Sequence, residues 1–448
     1  MKILFISLGC DKNLVDSEVM IGMLAKKGYS FTDDEQEAEA VVVNTCCFIG
    51  DAKEESVNTI LEMAELKKSG QLQALIVAGC LAQRYFDEVQ KEIPEVDAVI
   101  GTTAIDAIVK TLEDVLAGKE SNHRESIHRP VQGNRERVVT TGGHYAYLKI
   151  AEGCNKHCTY CIIPKVRGNY RSVPMEELCS EAEKLAEGGV KELILVAQET
   201  TLYGVDLYGE KMLPKLLTEL CRIEGIRWIR ILYCYPEEIT DDLIEVIKRE
   251  EKICHYLDIP IQSGSDRILK RMGRRTNKEQ ICERIRQLRA RIPDICIRTT
   301  FITGFPGETE EDHEETMSLV DEMEFDRLGV FTYSPEEDTP AAEMPDQISE
   351  EVKVLRRDEI MELQQEIAFD MAEQMTGICV DAMIEGQVAD ENVYVARTYK
   401  DAPSVDGYLF INTERSFMSG DFVKVLITGS NEYDLIGEIA AGKADEEE

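Results

Sequence analysis

The strongest constraint on this chain is an alternation of short apolar runs with helical segments, repeated in two blocks. Three continuous runs open it: Lys2-Ile-Leu-Phe-Ile-Ser-Leu-Gly-Cys10, Ala40-Val-Val-Val-Asn-Thr-Cys46 and Ala74-Leu-Ile-Val-Ala-Gly-Cys80. Runs this rich in β-branched residues, without polar alternation, suit central strands of a parallel sheet buried on both faces. Helical patterns over residues 16–27, 52–68 and 84–93 separate and follow them. The order β-α-β-α-β predicts an open doubly wound sheet, whose ligands bind outside the carboxyl ends of the strands. Each of the three runs closes on a cysteine at such an end. A second alternation starts at Tyr145. Strands are predicted over 145–150, 192–197, 228–233, 256–261, 295–302 and 328–333, with helices such as 175–187, 241–250, 278–291 and 310–322 between them. Six β/α repeats predict a partial or complete TIM-like β/α barrel, with function at the carboxyl ends of its strands.

The remaining segments set the domain limits. Residues 1–117 form the first α/β unit, and 118–139 a polar linker without apolar periodicity. The barrel unit covers 140–370 and includes a long charged helix that begins near 346. Short strands at 380–384, 393–396, 408–411, 422–428 and 435–440, separated by Gly, Asp, Asn and Pro, predict a small antiparallel barrel over 375–441. Residues 442–448 form an acidic tail.

Composition narrows the function classes. No apolar run approaches the eighteen or so residues of a membrane span. The start lacks a signal peptide's cleavage region, so a cytoplasmic, membrane-free setting is expected. In that setting 14 cysteines point to metal ligation rather than to disulfides. Scattered Cys179, Cys221, Cys234, Cys254, Cys282, Cys296 and Cys379 read as free core thiols, and His255 and His313 as structural. With 86 Asp and Glu against 50 Lys and Arg, the net charge is −36. Binding of nucleic acid draws on Lys and Arg, whereas a basic protein partner gains from an acidic field.

At the end of the first barrel strand lies Cys154-Asn-Lys-His-Cys158-Thr-Tyr160-Cys161. Three thiols at C-x3-C-x2-C spacing can cap three corners of a cubane iron–sulfur cluster. The fourth iron is then open to a small molecule, where most ferredoxin-like sites supply four thiolates. Zinc held by these thiols and His157 is the alternative that spacing leaves open. Cys10, Cys46 and Cys80, each closing an equivalent strand, suggest a second three-thiolate site. Cys46 and Cys47 are neighbours and point in different directions, so one of them is expected to ligate. Other barrel strand ends carry Gln198-Glu199-Thr200-Thr201, Gln262-Ser263-Gly264-Ser265, Arg298-Thr299-Thr300 and Gly304-Phe305-Pro306-Gly307-Glu308.

The Cys154 motif, with Tyr160 before its third cysteine, resembles that of the radical S-adenosylmethionine (SAM) enzymes. The whole chain resembles the methylthiotransferase family within them, through Gly9-Cys10, Asn44-Thr45-Cys46, Gly79-Cys80 and the Cys154, Cys158, Cys161 triplet. That resemblance implies a cluster domain, a radical SAM barrel and a C-terminal TRAM domain. It implies two 4Fe-4S clusters: a SAM-cleaving one on Cys154, Cys158 and Cys161, and an auxiliary, sulfur-handling one on Cys10, Cys46 and Cys80. The Asn-Thr-Cys match selects Cys46 over Cys47, which stands where glycine is more usual. One SAM would supply the radical and another the methyl group. Gln198, Glu199, Gln262, Ser263 and Arg298 are the expected SAM contacts.

Two branches are separable. Ser7-Leu-Gly-Cys10-Asp-Lys12-Asn-Leu-Val-Asp-Ser-Glu18 and Val196-Ala-Gln-Glu-Thr-Thr-Leu-Tyr-Gly204 resemble the RimO branch, which modifies an aspartate β-carbon in small-subunit ribosomal protein S-twelve. The MiaB-like branch modifies a tRNA adenosine and typically has Gln-Met where this chain has Asp11-Lys12. The last module carries eleven Asp and Glu against four Lys and Arg between residues 377 and 441, which favours a basic protein over tRNA. Expected partners are therefore the ribosomal protein, free or in the small subunit, and an electron donor such as flavodoxin or ferredoxin. Lys12, two residues past Cys10, is a candidate contact to the substrate aspartate.

Overall fold

The computed structural model describes residues 1–389 and 391–440; the expected acidic tail lies outside them. In the first module β1 (Lys2–Ser7), β2 (Ser30–Thr32), β3 (Ala40–Thr45), β4 (Ala74–Ala78) and β5 (Ala98–Ile100) form one sheet, ordered β2-β1-β3-β4-β5. All its pairings are parallel. The apolar runs foretold β1, β3 and β4. Strands β2 and β5, three residues each, are too short to leave a pattern. The order changes direction between β1 and β3, the switch point where such sheets open a ligand crevice. Cys10 follows β1 and Cys46 follows β3. Two further differences are local. The first helix, α1 (Asp11–Lys26), begins directly after Cys10, five residues earlier than its apolar period indicated. The helix expected over 84–93 is present as Phe86–Glu92, and a short helix not foreseen, Gly79–Arg84, precedes it across a break at Tyr85.

The second module starts with β6 (Tyr145–Lys149). A short antiparallel pair, β7 (Ala151–Glu152) and β8 (Arg171–Ser172), brackets the cysteine loop. Strands β9 (Glu192–Val196), β10 (Trp228–Ile231), β11 (Ile253–Gln262), β12 (Cys296–Thr303) and β13 (Arg327–Thr332) complete a six-stranded sheet ordered β13-β12-β11-β10-β9-β6. Its strands run parallel throughout, and β6 and β13 are edges, so the barrel is partial. Amphipathic helices such as Met175–Glu187 and Lys278–Arg291 bury Leu178, Leu185, Ile285 and Leu288 against its outer face.

The helix Glu350–Gln374 leads to the third module. There β14 (Cys379–Gln387), β15 (Val393–Thr398), β16 (Leu409–Asn412), β17 (Phe422–Asn431) and β18 (Asp434–Ile439) close into a five-stranded barrel. Four of its ladders are antiparallel, and β16 pairs with β18 in parallel. This small barrel seats on the amino ends of the larger barrel's strands. Arg397 and Arg230, both with fully buried side chains, each meet Glu192 at 2.7 Å at the start of β9. Arg327 at the start of β13 pairs with Asp401 at 2.7 Å, and Trp228 at the start of β10 packs edge-on against Phe422. Buried charges persist in such a seam because each has a partner. The carboxyl ends of the strands are thereby left to the first module.

That module is tied down on two sides. Glu18 holds Arg137 of the linker at 3.2 Å, and Asp16 pairs with Lys149 of β6. Opposite, Glu336 receives Arg84 at 2.9 Å and Lys53 at 3.2 Å. The polar linker is thus packed although it holds no helix or strand. Among the described residues, no helix is long and apolar enough to cross a membrane.

Candidate functional site

Two of the first module's strand-end cysteines, Cys10 and Cys80, follow a sharp turn. Gly9 and Gly79 adopt φ of 85° and 93°, the left-handed region that disfavours any residue with a Cβ. Space demands glycine as well. A Cβ on Gly9 would lie 2.7 Å from the Cys46 sulfur, and one on Gly79 2.3 Å from Asn44 Oδ1. The strand ends are also laced together. Asn13 donates to the carbonyls of Leu8 and Thr45, both at 2.9 Å, and Asn44 to the Asn13 carbonyl and Ser17 Oγ at 2.9 Å. Thr45 Oγ1 donates to the Ala78 carbonyl at 2.6 Å.

These ties bring Cys10, Cys46 and Cys80 to one crevice. Burial raises the Cys46 thiol, countered by the Phe48 N–H and by Arg167. Burial also raises Cys80, opposed by Arg167. Cys47 is buried close by and, like Cys10 and Cys46, bears on the Cys80 thiol. It packs among Leu4, Val43 and Ile60, and burial, countered by Arg84, pushes its thiol up to about 12.

The second triad comes from one loop. The Cys154 N–H donates to the Gly168 carbonyl at 3.1 Å and the Cys161 N–H to the Cys158 carbonyl at 3.0 Å. The Lys156 N–H points at the Cys154 sulfur at 3.4 Å, and Tyr235 Oη lies 3.7 Å from the Cys158 sulfur. Burial pushes the Cys154 thiol up to about 11, and raises Cys161 too, with Cys158 adding to both. Tyr160 turns edge-on to Phe305, and Arg274 sits 4.2 Å from the Tyr235 ring centre. His157 is exposed.

Both triads present thiol sulfur in a buried setting with cationic neighbours, Arg167 at one and Lys156 at the other. That donor set fits an anionic iron–sulfur cluster. A cluster binds thiolates, so its binding would release the protons that burial holds on Cys46, Cys80, Cys154 and Cys161. Among the described residues, no group of three or more His, Cys, Asp or Glu converges on a single metal ion.

The polar strand ends divide into two groups. Gln198 Nε2 donates to Glu152 Oε1 at 2.8 Å, while Gln198 Oε1 and Glu199 Oε2 are buried acceptors without a partner. Burial raises Glu199 to about 7, against a bond from Thr201 and the charge of Lys156. These free acceptors, beside Cys154, could take an ammonium or hydroxyl. Gln262 is buried, with φ of 81°, and Ser263 Oγ accepts from the Ser265 N–H at 3.1 Å. Arg298 is held by Asp258 at 3.2 Å through Nη1 and by Asp406 of the small barrel at 3.4 Å through Nε. His255 and His313 pair with Asp294 and Glu359, both at 2.7 Å.

Lys12 is buried. Its ammonium sits 3.0 Å from Asp11 Oδ1 and 3.4 Å from the Tyr233 ring centre. Burial favours its neutral form, but Asp11 and Tyr233 outweigh this and hold the proton on. Asp11 Oδ2 has no partner. Several neighbours were given no role from the sequence: Asn13 and Asp16, which lie within the segment 7–18, and Glu152, Arg167, Tyr233 and Arg274. Only Arg167 had a local cue, in Pro164-Lys165-Val166-Arg167-Gly168 just past the triplet.

Comparison with known proteins divides the chain as the modules do. The uncharacterized protein family UPF0004 matches residues 2–101, the radical SAM superfamily 148–320 and the TRAM domain 376–440. The ribosomal protein uS12 methylthiotransferase RimO of Lachnoclostridium phytofermentans is 63% identical over 437 residues, 98% of this chain and 99% of that protein. The protein of the same description from Pelotomaculum thermopropionicum is 51% identical, over 98% of this chain and 99% of its own. Among solved structures, the radical SAM methyltransferase TsrM from Kitasatospora setae superposes with a TM-score of 0.55 at 13% identity, covering 88% of this chain and 80% of TsrM. The cobalamin-dependent radical SAM enzyme OxsB gives 0.52 at 14% identity, over 82% and 56%. These two likenesses are of fold.

Proposed function

Since the chain belongs to the RimO family of radical SAM methylthiotransferases, we propose that it methylthiolates the β-carbon of an aspartate in ribosomal protein uS12. The observation that carries this reading is the placement of two cysteine triads, one per α/β module, around a shared buried polar seam. Membership of the radical SAM superfamily brings SAM and an iron–sulfur cluster. The second, auxiliary 4Fe-4S cluster is part of this proposal. Bound clusters would supply the electron that cleaves one SAM and the sulfur that, with a methyl group from another, reaches the substrate carbon.

Cys154, Cys158 and Cys161 would hold the first cluster, and Cys10, Cys46 and Cys80 the second. Gln198 and Glu199 offer unpartnered acceptors to the SAM amino group, with Gln262 and Ser263 at a neighbouring strand end. Arg298, locked between two aspartates, is better placed to join the two barrels than to bind SAM freely. Lys12 keeps its charge beside Cys10 of the strand-end triad. An incoming substrate carboxylate would compete with Asp11 for it, a charge-assisted contact.

The acidic TRAM module supports a basic protein substrate over tRNA, and the setting is then the cytoplasm, with flavodoxin or ferredoxin as electron donor. The test is incubation of reconstituted enzyme, SAM and reductant with uS12 and, separately, with tRNA, followed by mass measurement. The expected product is a methylthio-aspartyl protein. Modified tRNA beside unmodified uS12 would overturn the assignment in favour of adenosine methylthiolation.

A further inference from the structure

We infer that Arg167 is a positioning residue for the N-terminal cluster site, holding it against the barrel and setting its reduction potential. Arg167 lies six residues past Cys161, in the barrel's own cysteine loop, yet its side chain crosses to the other module. It is 1% exposed. Its Nε donates to the Cys80 sulfur at 3.3 Å. Its Nη1 reaches Asp16 at 3.1 Å and Glu152 at 2.7 Å, and Nη2 donates to Asn13 Oδ1. Glu152 in turn accepts from Gln198 and pairs with Lys149 at 3.1 Å. One guanidinium therefore links a thiol of the first triad to the carboxylate two residues before the second.

A plain structural role would need less. Two modules can be joined by apolar contact, and a buried ion pair is weak evidence for stability. The seam is already balanced in charge, with Lys149 and Arg167 facing Asp16 and Glu152. The Nε–H aimed at sulfur is the unexplained part, because a neutral thiol has little call for a cation. A metal-bound thiolate does, and hydrogen bonds and charge at cluster sulfurs set the potential. A cation there stabilises the reduced, more negative cluster. Asp16 on the far side of the fork damps that effect, so the two residues act with opposite sign.

This inference rests on the ligand assignment above, and the test separates the two. Full-length protein carrying Cys154→Ala, Cys158→Ala and Cys161→Ala is reconstituted anaerobically with iron and sulfide. Iron content is measured, and the midpoint potential is read by electron paramagnetic resonance during redox titration. Arg167→Gln is expected to lower the midpoint, Arg167→Lys to lower it less, and Asp16→Asn to raise it. Opposite shifts are not expected of a merely structural contact. Unmoved potentials, or shifts of one sign in both positions, would overturn the inference while leaving the ligands in place. If Arg167→Gln fails to hold iron, Asp16→Asn decides alone: a raised midpoint supports the inference, and an unmoved or lowered one overturns it. A parent without iron would overturn the ligand assignment, and this inference with it.

Discussion

The two cysteine triads are built in opposite ways. Cys154, Cys158 and Cys161 come from eight consecutive residues, so their meeting is a property of one loop. Cys10, Cys46 and Cys80 come from three strand ends, and they meet only because β1, β3 and β4 lie side by side in a parallel sheet. The loop triad tolerates change elsewhere provided its loop survives. The strand-end triad depends on strand order, two left-handed glycines and the asparagine ties between strand ends.

Loss of ligands should expose the difference most strongly. Cys158→Ala is expected to abolish both 5′-deoxyadenosine release and methylthiolated product. Cys46→Ala should abolish the product but leave 5′-deoxyadenosine formation, as chromatography of the small molecules and mass measurement of uS12 will show. Equal loss of both in Cys46→Ala would mean that the triads are not separable.

The next contrast lies away from either site. Arg397→Ala leaves Glu192 with one of its two buried partners. Breaking a buried pair of this kind costs about 3–5 kcal/mol, to be read by denaturant unfolding. Iron content per folded chain should nevertheless be unchanged, since the seam lies at the opposite strand ends from both triads.

Gly79→Ala brings a Cβ 2.3 Å from Asn44 Oδ1 at φ of 93°. Strain of about 1–3 kcal/mol is expected, together with loss of iron from the strand-end site only. The smallest effect should come from Cys47→Ala, which removes a buried sulfur from an apolar cluster at a cost of about 1 kcal/mol. Iron content should match that of the parent; a drop to half would make Cys47 a ligand.

The same contrast explains what could be read from sequence. The loop triad is contiguous and legible at once. The strand-end triad was legible because each run of β-branched residues stops at a cysteine, an indirect sign that needed the parallel sheet as a premise. The seam between the modules was not legible. Arg167 and Asn13 are 154 positions apart, and no periodicity joins them. The burial of Lys12 and Asn13 was likewise not legible, because their partners Tyr233 and Thr45 come from distant strand ends. Strands β2 and β5 escaped through brevity, and the break at Tyr85 through the absence of Gly or Pro.

The raised thiols have a consequence for how the protein is made. Oxidants and disulfide exchange attack the thiolate. Burial that lifts a thiol, as at Cys154, holds it in the neutral form at neutral pH. Before any iron and sulfide arrive, Cys46, Cys80, Cys154 and Cys161 would therefore offer oxidants less thiolate than an exposed cysteine does.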